Sequence, residues 1–300
     1  MFELQFGDAA LDRFHVSHGP VTASGGRTAG LTLVSGEIIA LAMREVQTKT
    51  PELRIAGCIG QHRGDRSEQQ DRVALLESRR APQCALAVLA DGVGGVSGGA
   101  LAAEDAIAIS RRRFADFDPG ARSPEEFFRA LVSEIHTVLR LDGVTAGLQP
   151  HTTFAAVMLR RDRADWCHVG DSRIHRIRQG KILQRSVDHT VTSRSGTRVE
   201  VLGASRPPEP SCGGHAGIRP EDSFLLCSDG LWNHLSALEL AETVTALPPR
   251  EAVEKLIGVA RARANGTGDN CSLAILKLID VAPCAGKPPR REGDRIPYAI

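Results

Sequence analysis

Asp91 stands where a buried apolar run gives way to a glycine-rich loop. Ala85–Leu89 has the small and branched apolar residues of a buried strand. Asp91-Gly92 breaks it, and Gly94, Gly95, Gly98 and Gly99 follow before a helical segment begins at about Ala100. A carboxylate at the mouth of a strand, beside backbone that carries no side chains, can hold a cation while a phosphate approaches closely. Two other readings fit the same residues: a plain strand-to-helix turn, and a dinucleotide-binding loop. Gly92 and Gly94 match the first two glycines of such a loop, but Ser97 stands in place of the third. Arg111-Arg112-Arg113 also occupies the region about 20 residues on where an acidic residue is needed.

Further aspartates share this placement. Asp229 ends an apolar run in FLLCSDG, and Asp269 lies in GTGDN just before the last strand. Asp171 occupies a turn in HVGDSR, and Asp71 precedes a strand in SEQQDR. If the strands stack as two sheets, all of these carboxylates converge at one edge. Carboxylates that close repel unless they protonate or bind cations. An all-oxygen set without His or Cys favours Mg²⁺ or Mn²⁺ over Zn²⁺.

The elements that must position them can be read from periodicity and caps. Strands are expected at 53–59, 73–76, 84–90, 152–160, 165–169, 174–178, 182–184, 223–227 and 271–279. A helix is expected over about 100–114. A second begins at Ser123-Pro124-Glu125-Glu126, with Ser as N-cap and Glu126 closing a capping box. Phe128, Leu131, Ile135, Val138 and Leu139 share one face of it, as core residues. Ser236 and Glu239 start a third helix, which Pro248-Pro249 stops; a fourth runs to about Ala264, with Asn265-Gly266 as its cap. Strands, a helix pair, more strands and a final helix pair predict an α+β fold with the helices outside a strand sandwich.

Some segments carry less information. In 1–50, Leu31–Val34 reads as a strand and Glu37–Met43 as a short helix; the segment is an extra edge of the domain, a partner-binding arm or disordered chain. Segment 186–222, with Pro207, Pro208, Pro210, Gly213 and Gly214, reads as a long surface loop or flap. The tail 281–300, with Pro288-Pro289-Arg290-Arg291, reads as disordered.

Composition narrows the partners. With 37 Lys and Arg against 36 Asp and Glu, the net charge of +1 gives no argument for nucleic acid or an anionic membrane. Two Trp, one Tyr and nine Phe leave little for base stacking. The N-terminus shows no signal peptide, and no apolar stretch is long enough to span a bilayer. Seven cysteines with no Cys-x-x-Cys pair read as buried free thiols of a reducing compartment, so a cytoplasmic location is expected.

Taken in order, GDRSEQQD (64–71), DGVGG (91–95), GDSR (170–173), SDG (228–230) and GDN (268–270) resemble the metal-dependent serine/threonine protein phosphatases of type 2C, in their bacterial form. The resemblance covers roughly 53–279. It implies a central antiparallel β-sandwich flanked by antiparallel helix pairs, a four-layer αββα arrangement. It divides the chain into an N-terminal extension (1–50), a phosphatase domain (51–280) and a tail (281–300).

The resemblance also implies roles. Asp91 bridges two ions, Mn²⁺ or Mg²⁺, and the Gly92 carbonyl binds the second. Asp229 and Asp269 hold the first ion, and Asp71 acts through water. Asp171, with Asp229, serves a third and weaker site. Arg66 grips the phosphate. A water activated by the two metals attacks phosphorus in line, with no side-chain nucleophile. The substrates implied are phosphorylated Ser/Thr proteins, and the partner a cognate bacterial Ser/Thr kinase.

Three departures stand out. Gln69-Gln70 replaces the usual Asn followed by Glu or Gln, Val93 stands where eukaryotic members carry His, and the segment after Asp188-His189 is shorter than usual. His189 itself reads as structural. Two alternatives stay open: a catalytically weak regulatory binding module using 1–50 or the flap, and a hydrolase of small phosphate esters.

Overall fold

The computed structural model describes residues 29–34, 37–47, 53–81, 84–93, 97–160, 162–193 and 196–280. Its elements begin with β1 (Ala29–Val34), β2 (Glu37–Gln47), β3 (Leu53–His62), β4 (Asp71–Glu77), β5 (Cys84–Asp91), α1 (Gly99–Ala115) and α2 (Pro124–Ala146). Next come β6 (Phe154–Arg160), β7 (Arg163–Val169), β8 (Arg173–Arg178), β9 (Lys181–Arg185), β10 (Thr190–Ser193), β11 (Gly196–Val199) and β12 (Ser211–Ala216). The chain closes with β13 (Ser223–Cys227), a one-turn α3 (Asp229–Trp232), α4 (Ala237–Ala246), α5 (Pro249–Ala264) and β14 (Cys271–Asp280).

Two antiparallel sheets result, one in the order β1-β2-β3-β14-β13-β8-β9 and the other β12-β7-β6-β5-β4. Their central strands are apolar on both faces because both faces are covered. On β5, Ala85, Ala87 and Leu89 point into the core between the sheets. Leu86, Val88 and Ala90 point into a second core, under α1 and α2. On β14, Ala274 and Leu276 face the other sheet, while Leu273 and Ile275 meet Leu256 and Ile257 of α5. Helices, sheet, sheet, helices: the expected α+β, four-layer αββα sandwich is the fold. The period-two alternation of the central strands sends successive apolar residues to different cores.

Local capping follows the sequence closely. Ser123 and Glu126 form a reciprocal capping box at α2, and Ser236 and Glu239 another at α4. Asn265 ends α5 in the left-handed conformation.

Two expectations are corrected. Glu37–Met43 is not a short helix but the body of β2, paired to β1 and β3, so these residues lengthen the first sheet. Ile38, Ile39 and Val46 are β-branched and favour a pleated strand. Segment 186–222 is not one loop: β10 and β11 form a hairpin, and β12 pairs with β7 as an edge strand. Gly213 explains why β12 carries no apolar pattern, since a Cβ there would lie 2.5 Å from the Trp166 ring. The expected disorder of 281–300, and residues 1–28, lie outside the described residues.

A buried ion cluster ties the far end of the sandwich. Asp222, fully enclosed, accepts from Arg178 at 2.7 Å through each of its oxygens and from Arg176 at 2.9 Å. Asp222→Ala leaves two guanidinium groups without their counter-ion and is expected to cost about 3 kcal/mol in urea unfolding. Ser123→Ala removes one exposed cap and should cost about 1 kcal/mol. A reversed order would contradict this ranking.

Candidate active site

Asp71 and Asp91 stand directly opposite each other on β4 and β5. They continue the inward-facing rows of Val73 and Leu75 on one strand and Ala87 and Leu89 on the other. The core between the sheets therefore ends in carboxylates. Asp229 opens α3 straight after β13, Asp171 follows β7, and Asp269 precedes β14. Asp91, Asp171, Asp229 and Asp269 line one cavity of about 300 Å³, with Gly92, Arg66 and Gln70. Asp71 lies behind it, 1 % exposed. Its Oδ2 accepts the Ser228 hydroxyl at 2.9 Å, and its Oδ1 is buried without a hydrogen-bond partner.

The electrostatics follow from this crowding. Burial first, then the charges of Asp71, Asp229 and Asp171, push the Asp91 carboxyl well above its ordinary value. Burial and the charges of Asp171, Asp269 and Asp71 raise Asp229 to about 7. Burial, with Asp269 adding to it, raises Asp71 to about 6. Asp171 is raised as well, chiefly by burial. Asp71, Asp91, Asp171 and Asp229 are raised because burial disfavours their charged forms and neighbouring like charges add to it.

Backbone contacts fix each member. The Asp91 N–H donates to Thr153 Oγ1 at 3.1 Å, while its carbonyl accepts the Thr153 N–H at 2.8 Å and the Thr152 hydroxyl at 2.9 Å. Gly92 passes so near the start of α1 that a Cβ would fall 2.3 Å from the Gly99 carbonyl. Only glycine lets that backbone lie in the cavity wall. The Trp232 indole donates to the Asp171 carbonyl at 3.1 Å. The Arg173 guanidinium stacks 3.4 Å above the Trp232 ring while gripping both oxygens of Asp188.

Asn270 is the positioning residue that sequence reasoning missed. Its Nδ2 donates to the carbonyls of Arg63 and Glu68, at 2.6 and 2.9 Å, and its Oδ1 accepts the Gln70 N–H at 2.6 Å. One amide thus staples the loop carrying Arg66 and Asp71 to the turn carrying Asp269. The only trace of this in the sequence is its place in GDN. His189, read as structural, shares a 2.8 Å hydrogen bond through Nε2 with the Ser211 hydroxyl, and its ring packs on His168. Cys167 and Arg173 have the Cys-x5-Arg spacing of thiolate phosphatases. Cys167 is fully buried under α2 and Arg173 is committed to Asp188, so no such phosphate loop forms.

Arg66 reaches into the site from its rim. Its Nη2 donates to Asp269 Oδ2 at 2.5 Å, and Asp269 Oδ1 accepts the Asn270 N–H at 2.8 Å. Both oxygens of Asp269 are thereby engaged. Among the described residues no three His, Cys, Asp or Glu side chains converge on a single coordination point. The donor set nevertheless fits hard divalent cations: carboxylate oxygens, a glycine backbone at the wall, and a buried carboxylate oxygen without a hydrogen-bond partner.

A strand sandwich whose inner core ends in oxygen donors beside an arginine is chemically suited to a divalent cation and a phosphate group. Comparison with known proteins agrees. Residues 60–261 match the family described as Protein phosphatase 2C. Protein phosphatase PhpP of Streptococcus pneumoniae is 27% identical over 246 residues, which are 76% of this chain and 97% of PhpP. Serine/threonine protein phosphatase PstP of Mycobacterium tuberculosis is 28% identical over 213 residues, 65% of this chain and 40% of PstP. Of solved structures, the S. agalactiae serine/threonine phosphatase gives a TM-score of 0.66 at 25% identity, covering 74% of this chain and 99% of that one. The catalytic domain of PstP in complex with two manganese ions gives 0.62 at 26% identity, covering 76% of this chain and 99% of that one. The chain belongs to the protein phosphatase 2C family, a family of serine/threonine protein phosphatases.

The raised carboxylates set a pH dependence. A carboxyl whose folded value is raised contributes stability in full below its ordinary value of 3.8 and loses it as the pH rises through about 7. In EDTA, Asp229→Asn should match wild type near pH ~4 and unfold roughly 5 °C higher near pH ~7.5. Differential scanning fluorimetry reads the difference directly. A variant less stable than wild type at neutral pH would contradict the repulsion account.

Proposed function

We propose that this chain is a metal-dependent serine/threonine phosphoprotein phosphatase whose hydrolytic site is the acidic cavity. One observation carries the reading. Asp91, Asp171, Asp229 and Asp269 wall a single cavity beside Arg66, with a buried, unpartnered oxygen of Asp71 behind it.

In this reading Asp91 and the Gly92 carbonyl, with Asp229 and Asp269, hold two Mn²⁺ or Mg²⁺ ions. Asp71 would act from behind them, and Asp171 with Asp229 would hold a third, weaker ion. When bound, the ions supply an activated water for in-line attack on phosphorus and offset the charge that develops on the phosphoryl oxygens.

The chain's own residues do the rest. Arg66, 53% exposed at the rim, presents a planar fork that suits phosphate as well as it suits Asp269. The Asn270 staple holds that fork at a fixed distance from the carboxylates. Val199 and Val201 give the cavity an apolar wall on the side of the β10–β11 hairpin. Val93 cannot donate a proton, so the leaving serine or threonine oxygen takes one from solvent.

Residues 51–280 form the catalytic unit in this reading, with β1 and β2 lengthening its first sheet. The substrates are phosphorylated Ser/Thr proteins, and the activity opposes a bacterial Ser/Thr kinase. The similarity to PhpP and PstP, named as protein phosphatases, supports the substrate class. A cytoplasmic setting is supported by the buried free thiols Cys58, Cys167, Cys227 and Cys271. Among the described residues no helix is long and apolar enough to cross a membrane.

The test is hydrolysis of a phosphothreonine peptide in EDTA, Mg²⁺ or Mn²⁺. Turnover is expected only with metal, and Asp91→Asn should lower it by about 10³-fold or more. Arg66→Ala should raise KM about 10-fold with a smaller effect on kcat. Turnover that survives EDTA overturns the mechanism. A folded protein that is inactive with every metal points instead to the regulatory module, the reading that Gln70 in place of Glu favours.

A further inference from the structure

We propose that Cys167 and Cys212 are a redox-modification site, closing a reversible disulfide between β7 and β12 when the protein meets a hydroperoxide. The two residues stand directly opposite each other in the antiparallel β7–β12 register. They also share a sheet face. Cys167 is buried in the core beneath α1 and α2, and Cys212 packs half-buried against that same core.

Directly opposed residues have Cβ atoms about 4.5–5.5 Å apart, and a disulfide takes about 3.5–4.5 Å, so closure needs a shift of roughly 1 Å. The fold leaves room for that shift. β12 is an edge strand with β7 as its one neighbour, and Gly213-Gly214 follows Cys212 directly.

The two thiols differ in the way such a step requires: the hydrogen bond with Cys212, then burial, push the Cys167 thiol well above its ordinary value. The Cys167 thiol beside it and the charge of Arg129 on α2 hold the Cys212 thiol below its ordinary value. Burial pushes Cys58 and Cys227, in the other sheet, up to about 12. Cys212 is also the half-buried cysteine among the described ones, so an oxidant reaches it first.

The chemistry balances with one peroxide per disulfide. The Cys212 thiolate attacks a peroxide oxygen, the O–O bond breaks, and hydroxide leaves to become water after taking up a proton. Cys167 sulfur then attacks the resulting sulfenic sulfur; its own proton departs with the leaving hydroxide as a second water. Two thiols lose two electrons, hydrogen peroxide gains them, and a dithiol reductant reverses the change.

The covalent loop closed between 167 and 212 contains Asp171, Val199 and Val201, three residues that line the acidic cavity. The proposal itself does not depend on the phosphatase reading, because its test reads sulfur chemistry alone. Metal-free protein, with Cys284→Ser as background, is treated with a few equivalents of hydrogen peroxide, digested without reduction and mapped by mass spectrometry. A linked peptide pair containing Cys167 and Cys212 is expected; it should vanish with dithiothreitol and be absent from Cys212→Ser. The oxidised protein should also unfold several degrees higher than the reduced one. The wild-type map stands even if the variant folds poorly. Cys212 recovered as sulfinic acid with Cys167 still a free thiol overturns the proposal, as does a Cys212 link to any other cysteine.

Discussion

Mutual repulsion among carboxylates that the fold forces together is the constraint on which the rest of this structure depends. Asp71, Asp91, Asp171, Asp229 and Asp269 come from five separate positions in the chain, and none approaches the others by sequence proximity. Two sheets packed face to face bring them to one end. The three apolar cores supply the free energy that holds them there, since burial of aliphatic side chains is the one term large enough to offset several like charges in a partly dry cleft. A cation relieves the repulsion the fold creates. Stability and cation binding are therefore opposed in the empty site and cooperative in the loaded one.

The site is an extension of the core rather than a decoration on it. Asp71 and Asp91 occupy the next inward-facing positions after Val73, Leu75, Ala87 and Leu89. The same alternation that packs the sheets aims the carboxylates. The contacts that refine the aim are polar and long-range: Thr152 and Thr153 on Asp91, Ser228 on Asp71, Trp232 on Asp171, and Asn270 across the loop of Arg66. Rigid strands set the coarse geometry, and single hydrogen bonds set the fine geometry.

Much of this was legible in the sequence, and the limits are physical. Asp91, Asp229 and Asp269 were readable because each marks an abrupt change between apolar strand and polar turn, a local event. The capping boxes at Ser123 and Ser236 were readable for the same reason. Asn270 was not, because its hydrogen bonds reach across some 200 residues and leave no pattern near it. β12 was missed because backbone pairing to β7 holds it, with glycines in place of alternating apolar residues. β2 was misread because its residues suit either period, and only the neighbouring strands decide.

The opposition of Asp71 and Asp91 across β4 and β5 has one more consequence. Side chains alternate along a strand, so slipping β4 by a single residue would carry Asp71 to the face under α1 and present Arg72 to the cavity. The cleft would then contain a cation of its own, and its attraction for metal would disappear. A divalent ion binds well only to the chain that has paired these strands in the native alignment. The native alignment of β4 with β5 would thus be a precondition for holding a divalent ion at this end of the sandwich.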